Sequence, residues 1–209
     1  MRKRIPTKWR QTRLLRDLVL LSVLALFWTW GCSSEEAPVS APPVDTEQIR
    51  AVVSGFDGAS IPTLDLEAIV KAGSGAVPVL ADLLGQGDRA TRWAALLGLA
   101  ALGHERNAAG AVLPHLKSAL SDSDISVRVT AAELLASFGD PAGLPVLIDA
   151  VDSDEILRPA EPPTSVCTQA VRVLGHYTGQ VFTEEADWRT WWDANQGSLD
   201  WDPDHERFY

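Results

Sequence analysis

A repeat of 36 residues is the feature that most constrains the fold of this 209-residue chain. Residues 92–103 align with residues 128–139, and the same step again reaches the segment around Cys167 and Gly175. The third unit holds an insertion between Asp152 and Ser165, which displaces its upstream part by five residues. A repeated unit of this length buries its apolar face only by stacking on its neighbours. The sequence therefore predicts a linear stack of similar units.

Each unit is predicted to be two helices joined by a turn. In the second unit, Ser123 or Asp124 can cap the second helix, and Gly139 can end it in the left-handed conformation. Three prolines recur at one position and are expected inside the first helices, where they would bend the axis; they are Pro78, Pro114 and Pro145. One helical face is defined by apolar residues at three- and four-residue steps, namely Val127, Ala131, Leu134, Leu135 and Phe138.

The segment 122–135 resembles the second helix of a bacterial HEAT-like repeat of the PBS-lyase type, and residues 111–116 resemble the first helix. The resemblance covers residues 63–180, with residues 64–71 as the second helix of a degenerate opening unit. It implies an all-α fold, a short right-handed α-solenoid of three to four helix pairs with the second helices on the concave side. Such folds usually bind proteins through that side. Bilin lyases share the fold, so a lyase-like or cofactor-handling enzyme is the alternative.

The two ends of the stack need capping elements, because the outer face of a terminal repeat has no neighbour. Residues 46–56 can form an N-terminal helix, and residues 183–195 a closing helix that precedes an acidic tail. The closing helix places Trp188, Trp191 and Trp192 in one stripe. This stripe either packs on the last repeat or forms an aromatic docking face.

The N-terminus has the organisation of an export signal. Seven of the 18 Lys and Arg residues lie within residues 2–16, and an uncharged apolar run, residues 18–30, follows them. The residues around Cys32 resemble a bacterial lipoprotein cleavage site, which implies lipidation of that cysteine. The alternative is an uncleaved signal anchor. Either would place the body outside the cytoplasm and anchor it to a bacterial cell membrane.

The chain therefore divides into four parts. Residues 1–31 are the export signal or signal anchor, and residues 32–62 are a Ser/Glu/Ala/Pro tether with a possible capping helix. Residues 63–180 are the HEAT-like repeats, and residues 181–209 are the closing helix and tail. From Cys32 onward there are 27 acidic and 11 basic residues, a net charge of −16. This charge disfavours nucleic-acid binding and favours basic partners.

Catalytic and metal-binding signals are weak. The sequence has no Gly-rich phosphate loop, nucleophile elbow or zinc-helix motif. Cys167 occupies a repeat position that is Ala in the other units, so it is interpreted as a small core residue. We therefore expect no enzyme activity, no cofactor and no metal, and we expect a protein or peptide as the binding partner.

Two departures from the repeat are candidate contact sites. Trp93 and Leu97 stand where the third unit has Ser165 and Gln169, which gives the first unit an apolar patch. The patch is either covered by residues 46–62 or open to a partner, with Trp93 as the anchor and Arg89 and Arg92 beside it for an acidic partner.

The second departure is the Pro-rich insertion, residues 155–163, with Ile156, Leu157 and Arg158. It is either a recognition loop or an insertion without a binding role.

Overall fold

The computed structural model describes residues 45–56, 66–105, 108–157 and 163–209, all of which lie in one unit, Pro43–Tyr209. The predicted export signal, Cys32, residues 32–44 of the tether and Arg158 lie outside the described residues. The described residues are mostly helical, as the repeat predicted. The elements are α1 (Thr46–Ser54), α2 (Leu66–Ala72), α3 (Val77–Gln86), α4 (Arg89–Glu105), α5 (Ala109–Ala119), α6 (Ile125–Ser137), α7 (Leu144–Asp149), α8 (Val166–Thr178), α9 (Glu185–Asn195), β1 (Trp201–Asp202) and β2 (Arg207–Phe208).

The helices stack in two layers. In the first layer α3 contacts both α1 and α5, and α7 contacts α9. In the second layer α2, α4, α6 and α8 contact one another in that order. Consecutive helices from α3 to α8 also pack across the two layers. Helix pairs α3/α4, α5/α6 and α7/α8 are therefore the three repeated units.

The core consists of two adjoining clusters of buried side chains. The first runs from Ile49 of α1 to Leu135 of α6. The second runs from Val129 of α6 to Phe208 of β2 and includes Trp188 of α9, which is fully buried. Because α6 contributes to both clusters, the core is continuous along the stack. Burial of these apolar side chains is the main term that stabilises the fold.

The second helices of the first two units begin after aspartates that bond to their first backbone N–H groups. Asp124 accepts hydrogen bonds from the backbone N–H groups of Ser126 and Val127, which confirms it as the cap of α6. The equivalent residue one repeat earlier, Asp88, accepts from the N–H of Thr91 at 2.8 Å. Hydrogen bonds from the backbone and hydroxyl of Thr91 lower the pKa of Asp88. Both carboxylates also face the positive end of a helix dipole.

The predicted role of the prolines is wrong for two of the three repeats. Pro114 does lie inside α5. Pro78 and Pro145, however, occupy the first turns of α3 and α7. At that position a helix has no partner for the N–H, so the missing donor costs nothing. The three first helices therefore do not share one bend produced by proline.

The C-terminal residues after α9 are not an unstructured tail. Strands β1 and β2 pair antiparallel, with Trp201 opposite Phe208, and β2 packs against α8. Phe208 is 3% exposed. This two-stranded hairpin adds a small β element to a chain that the resemblance implied would be all-α.

One helical stretch, Leu66–Gln86, is long and apolar enough to cross a membrane by length and composition. This statement about length and composition applies only to the described part of the chain. The stretch contains α2, a 3-10 turn and α3, and its buried side chains, such as Ile69 and Leu80, belong to the first core cluster. Its apolar character is explained by core packing.

Candidate protein-binding surface

The Trp93 patch is covered by the N-terminal helix. The Trp93 ring is 5% exposed and stacks on Phe56, which follows α1, with the ring centroids 5.6 Å apart. Its Nε1–H donates a hydrogen bond of 3.0 Å to Oγ1 of Thr130 on α6. Of the two alternatives for this patch, the structure supports cover by the N-terminal segment, so Trp93 is not an exposed anchor for a partner. A charged substitution at Trp93 would measure stability rather than binding.

Leu97 and the two arginines beside Trp93 are also engaged inside the chain. Leu97 is half-buried and packs on the first core cluster. Arg92 makes a two-pronged contact with the Asp122 carboxylate, at 2.8 Å for both bonds, and donates to the carbonyl of Gly87. Arg89 is exposed and lies 3.8 Å from the Asp124 carboxylate. The expectation that Arg92 pairs with an acidic partner is therefore corrected, because its partner is Asp122.

The Arg92–Asp122 pair joins two repeats. Burial alone would raise the pKa of Asp122, but hydrogen bonds from Arg92 and from the N–H of Asp124 outweigh it and leave that pKa lowered. The same pair raises the pKa of Arg92. Arg128, one repeat later, donates instead to the carbonyl oxygens of Asp122 and Ser123. At this repeat position, Arg92 and Arg128 therefore each donate to backbone carbonyls of the loop that precedes their own helix.

The insertion of the third unit is closed at its base by a β-bridge between Ile156 and Ser165. The N–H of Leu157 donates to the carbonyl of Thr164 at 2.8 Å. Ile156 is 46% exposed, whereas Leu157 is half-buried against the second core cluster. A contact role for Ile156 stays a prediction, and Leu157 serves the core.

Two of the three glycines that recur in the repeat, Gly103 and Gly139, are in close contact with aromatic rings, whereas Gly175 is not. Gly103 lies inside α4 rather than at its end, and a Cβ placed there would be 2.5 Å from the Phe138 ring. A Cβ on Gly139 would be 2.6 Å from the Trp201 ring. Gly139 also has a φ of +73° and follows α6, as predicted. Close approach requires glycine at both positions, which sequence reasoning had interpreted only as helix ends.

The Trp stripe of α9 packs on the last unit. Trp188 is fully buried and meets Phe182 edge-on at 5.0 Å. Trp191 and Trp192 are half-buried and pack against the second core cluster. Of the two alternatives for this stripe, the structure supports packing. Nε1 of Trp188 has no hydrogen-bond partner among the described residues.

Polar side chains also cross between α6 and α8. Gln169 and Arg172 on α8 donate to the two carboxylate oxygens of Glu133 on α6, at 2.6 and 2.8 Å. Elsewhere an open groove of about 320 Å³ lies between α3 and α5, with the Arg92–Asp122 pair among its lining groups. Among the described residues no three His, Cys, Asp or Glu side chains are grouped as metal ligands.

Comparison with known proteins supports the repeat assignment. The family model of HEAT repeats matches residues 77–161, which contain helices α3 to α7. Helices α1, α2, α8 and α9 and the C-terminal hairpin lie outside the matched range. No curated protein matches the sequence significantly. HEAT-like repeats suggest, in general terms, a scaffold for protein interaction.

Proposed function

We propose that this chain is a membrane-tethered, non-catalytic scaffold that binds a protein partner on the surface of its HEAT-like repeats. The observation that carries the proposal is the match of HEAT repeats to residues 77–161, over helices that stack as regular pairs. A stack of this kind presents a continuous helical surface, and such surfaces serve extended protein contacts. In this proposal the stack is the predicted short α-solenoid, with α1 and α9 as its capping elements.

The charge of the body supports a basic partner. From Cys32 onward the net charge is −16. Such a field repels nucleic acid and accelerates encounters with cationic proteins.

The proposed location is the outer side of a bacterial membrane, with Cys32 as a lipidated first residue. The support is the basic, apolar and Cys-containing order of residues 2–32, which is the order of an export signal. Residues 33–44, rich in Ser, Glu, Ala and Pro, would then be an extended tether.

The location is tested by the intact mass of the full-length protein extracted from its own membranes. A mass that begins at Cys32 and includes acyl chains supports the lipid anchor. A mass that begins at Met1 replaces it with a signal anchor, and recovery of the protein without membrane would overturn the tether.

The scaffold is tested by photo-crosslinking in the same cells. A photoreactive residue is placed in the full-length chain at His104, on the second layer, and in a matched variant at Glu47, on the first layer; both positions are exposed. A single stoichiometric partner captured from one layer and not the other supports the proposal. The proposal fails if neither position captures a partner, or if the purified protein carries a bound chromophore or metal and turns over a substrate.

A further inference from the structure

Five aromatic side chains form a row across the edge where α4, α6 and α8 end. His104 near the end of α4 stacks on Phe138 after α6, with the ring centroids 4.1 Å apart and the planes at 12°. The Trp201 ring of the hairpin lies over Gly139, the residue after Phe138. Tyr177 near the end of α8 is 6.2 Å from Trp201, and His176 meets Tyr177 at 4.6 Å. We refer to these five residues as the aromatic row.

The aromatic row lies at the surface of the stack. His104 and His176 are exposed, and Phe138, Tyr177 and Trp201 are half-buried. Phe208, which is 3% exposed, lies in the core below this edge, and the inner sides of Phe138, Tyr177 and Trp201 pack on the two core clusters. Half-buried aromatic rings held by a rigid scaffold are efficient contact groups, because they lose little side-chain entropy on binding.

The net charge beside the aromatic row is negative, because residues 200–207 of the hairpin hold four carboxylates, Asp200, Asp202, Asp204 and Glu206, against one arginine, Arg207. Glu206 is exposed in the turn between β1 and β2. Burial first, and then the charges of Glu133 and Glu206, raise the pKa of Tyr177, so both carboxylates act on its ring. Arg172 acts in the opposite direction, but it is paired with Glu133 at 2.8 Å.

The other cations of the described residues are mostly engaged as well. Of the nine Lys and Arg side chains in the described part of the chain, six pair with carboxylates: Arg50, Arg89, Arg92, Lys117, Arg172 and Arg189. Arg128 donates to backbone carbonyls, and the remaining two are Lys71 and Arg207, both exposed, with Arg207 directly after Glu206. The excess charge of the surface is therefore negative, which favours a cationic occupant at an aromatic site.

We propose that the aromatic row, with the Glu206 carboxylate beside it, is the docking surface for an arginine-bearing segment of a protein partner. A guanidinium stacks flat on an aromatic face and keeps its N–H groups for a carboxylate. The row places two exposed and three half-buried aromatic residues in succession, with a carboxylate at one side. This proposal rests on the proposed scaffold function and specifies its partner chemistry. It places the contact at a surface built jointly by the repeats and the C-terminal hairpin.

The test measures fluorescence anisotropy of labelled peptides with the full-length protein in detergent. The probes are peptides of alternating Arg and Gly, the matched Lys/Gly peptide and the matched Glu/Gly peptide. We expect the Arg peptide to bind more tightly than the Lys peptide, and the Glu peptide not to bind. Binding of the Arg peptide should weaken with added salt.

Two variants locate the site. Tyr177→Leu removes a ring of the row, and Glu206→Gln removes the neighbouring charge; each should weaken Arg-peptide binding about 2- to 5-fold. The matched controls are Tyr209→Leu, an exposed tyrosine outside the row, and Glu47→Gln, an exposed carboxylate on α1. Both controls should stay within about 1.5-fold of the unmodified protein.

The outcomes separate this proposal from the scaffold function. Equal weakening by Glu47→Gln and Glu206→Gln would mean that only net charge attracts the peptide, which overturns the site. Absence of Arg-peptide binding overturns it as well, while a partner crosslinked in cells would leave the scaffold in place. If Tyr177→Leu lowers the unfolding midpoint, Glu206→Gln alone decides, because its exposed side chain makes no core contact.

Discussion

The buried hydrogen bond between Trp93 and Thr130 gives the sharpest test of how the first two repeats are joined. Thr130→Val keeps the shape of the side chain and removes the hydroxyl that accepts from Nε1–H of Trp93 at 3.0 Å. Trp93 is 5% exposed, so water cannot replace the lost acceptor. A buried donor without a partner costs about 1–3 kcal/mol, and we expect the free energy of unfolding to fall by that amount.

The assay is urea unfolding followed by far-UV circular dichroism, with Thr190→Val as the matched control. The Thr190 hydroxyl bonds its own helix on an exposed surface, so its loss should change stability by less than about 0.5 kcal/mol. In a Trp93→Phe background no indole N–H remains, and Thr130→Val should then cost less than about 0.5 kcal/mol. If Thr130→Val has no effect in the unmodified protein, water reaches the indole and the covered position of Trp93 is refuted.

Three further predictions concern other contacts. Asp122→Asn should destabilise the protein by about 1–3 kcal/mol at neutral pH. Because the folded pKa of Asp122 is lowered, the stability difference between the two proteins should persist above pH 3.8, and it should shrink and disappear as the pH falls from 3.8 through the lower folded pKa. Urea unfolding at several pH values measures this difference. Gly103→Ala should lower the free energy of unfolding by about 1–3 kcal/mol, because the added methyl group clashes with the Phe138 ring. The control Gly110→Ala places its methyl group in open space within a helix and should raise the melting temperature. Phe208→Ala should cost about 3–5 kcal/mol in the same unfolding assay, and Tyr209→Ala, which is 69% exposed, should cost less than about 0.5 kcal/mol; equal losses would mean that the hairpin does not pack on α8.

The sequence predicts the helices well because their signals are local. The cap at Asp124 and the left-handed Gly139 each depend on residues close together in the chain, and the structure confirms both. Helix α1 is found at Thr46–Ser54, within the predicted residues 46–56. Capping and helical periodicity act over a few residues, so one sequence reveals them without any tertiary information.

The candidate sites were harder to predict because exposure depends on contacts between distant segments. Trp93 and Leu97 are apolar where the third unit is polar, which is equally consistent with an open patch or a covered one. Phe56, 37 residues away, decides that it is covered. The carboxylate that holds Arg92 is 30 residues away at Asp122. Sequence spacing does not specify such pairs.

The hairpin shows the same limit. Residues 198–209 have little apolar periodicity and many carboxylates, so sequence reasoning treated them as a tail. Trp201 and Phe208 were the available signal, but their strands, which pair with each other, depend on packing against α8 and Gly139. Strands of two residues are too short to be stable alone.

The sequence by itself determined the repeat, the helical class, the capping residues and the acidic character of the body. These follow from period, composition and local hydrogen bonding. Only the tertiary structure decided that Trp93 belongs to the core, that Gly103 and Gly139 seat aromatic rings, and that the hairpin completes the aromatic row. The physical reason is that burial and close approach depend on which distant segments meet, and that is fixed by the packing of all the helices together.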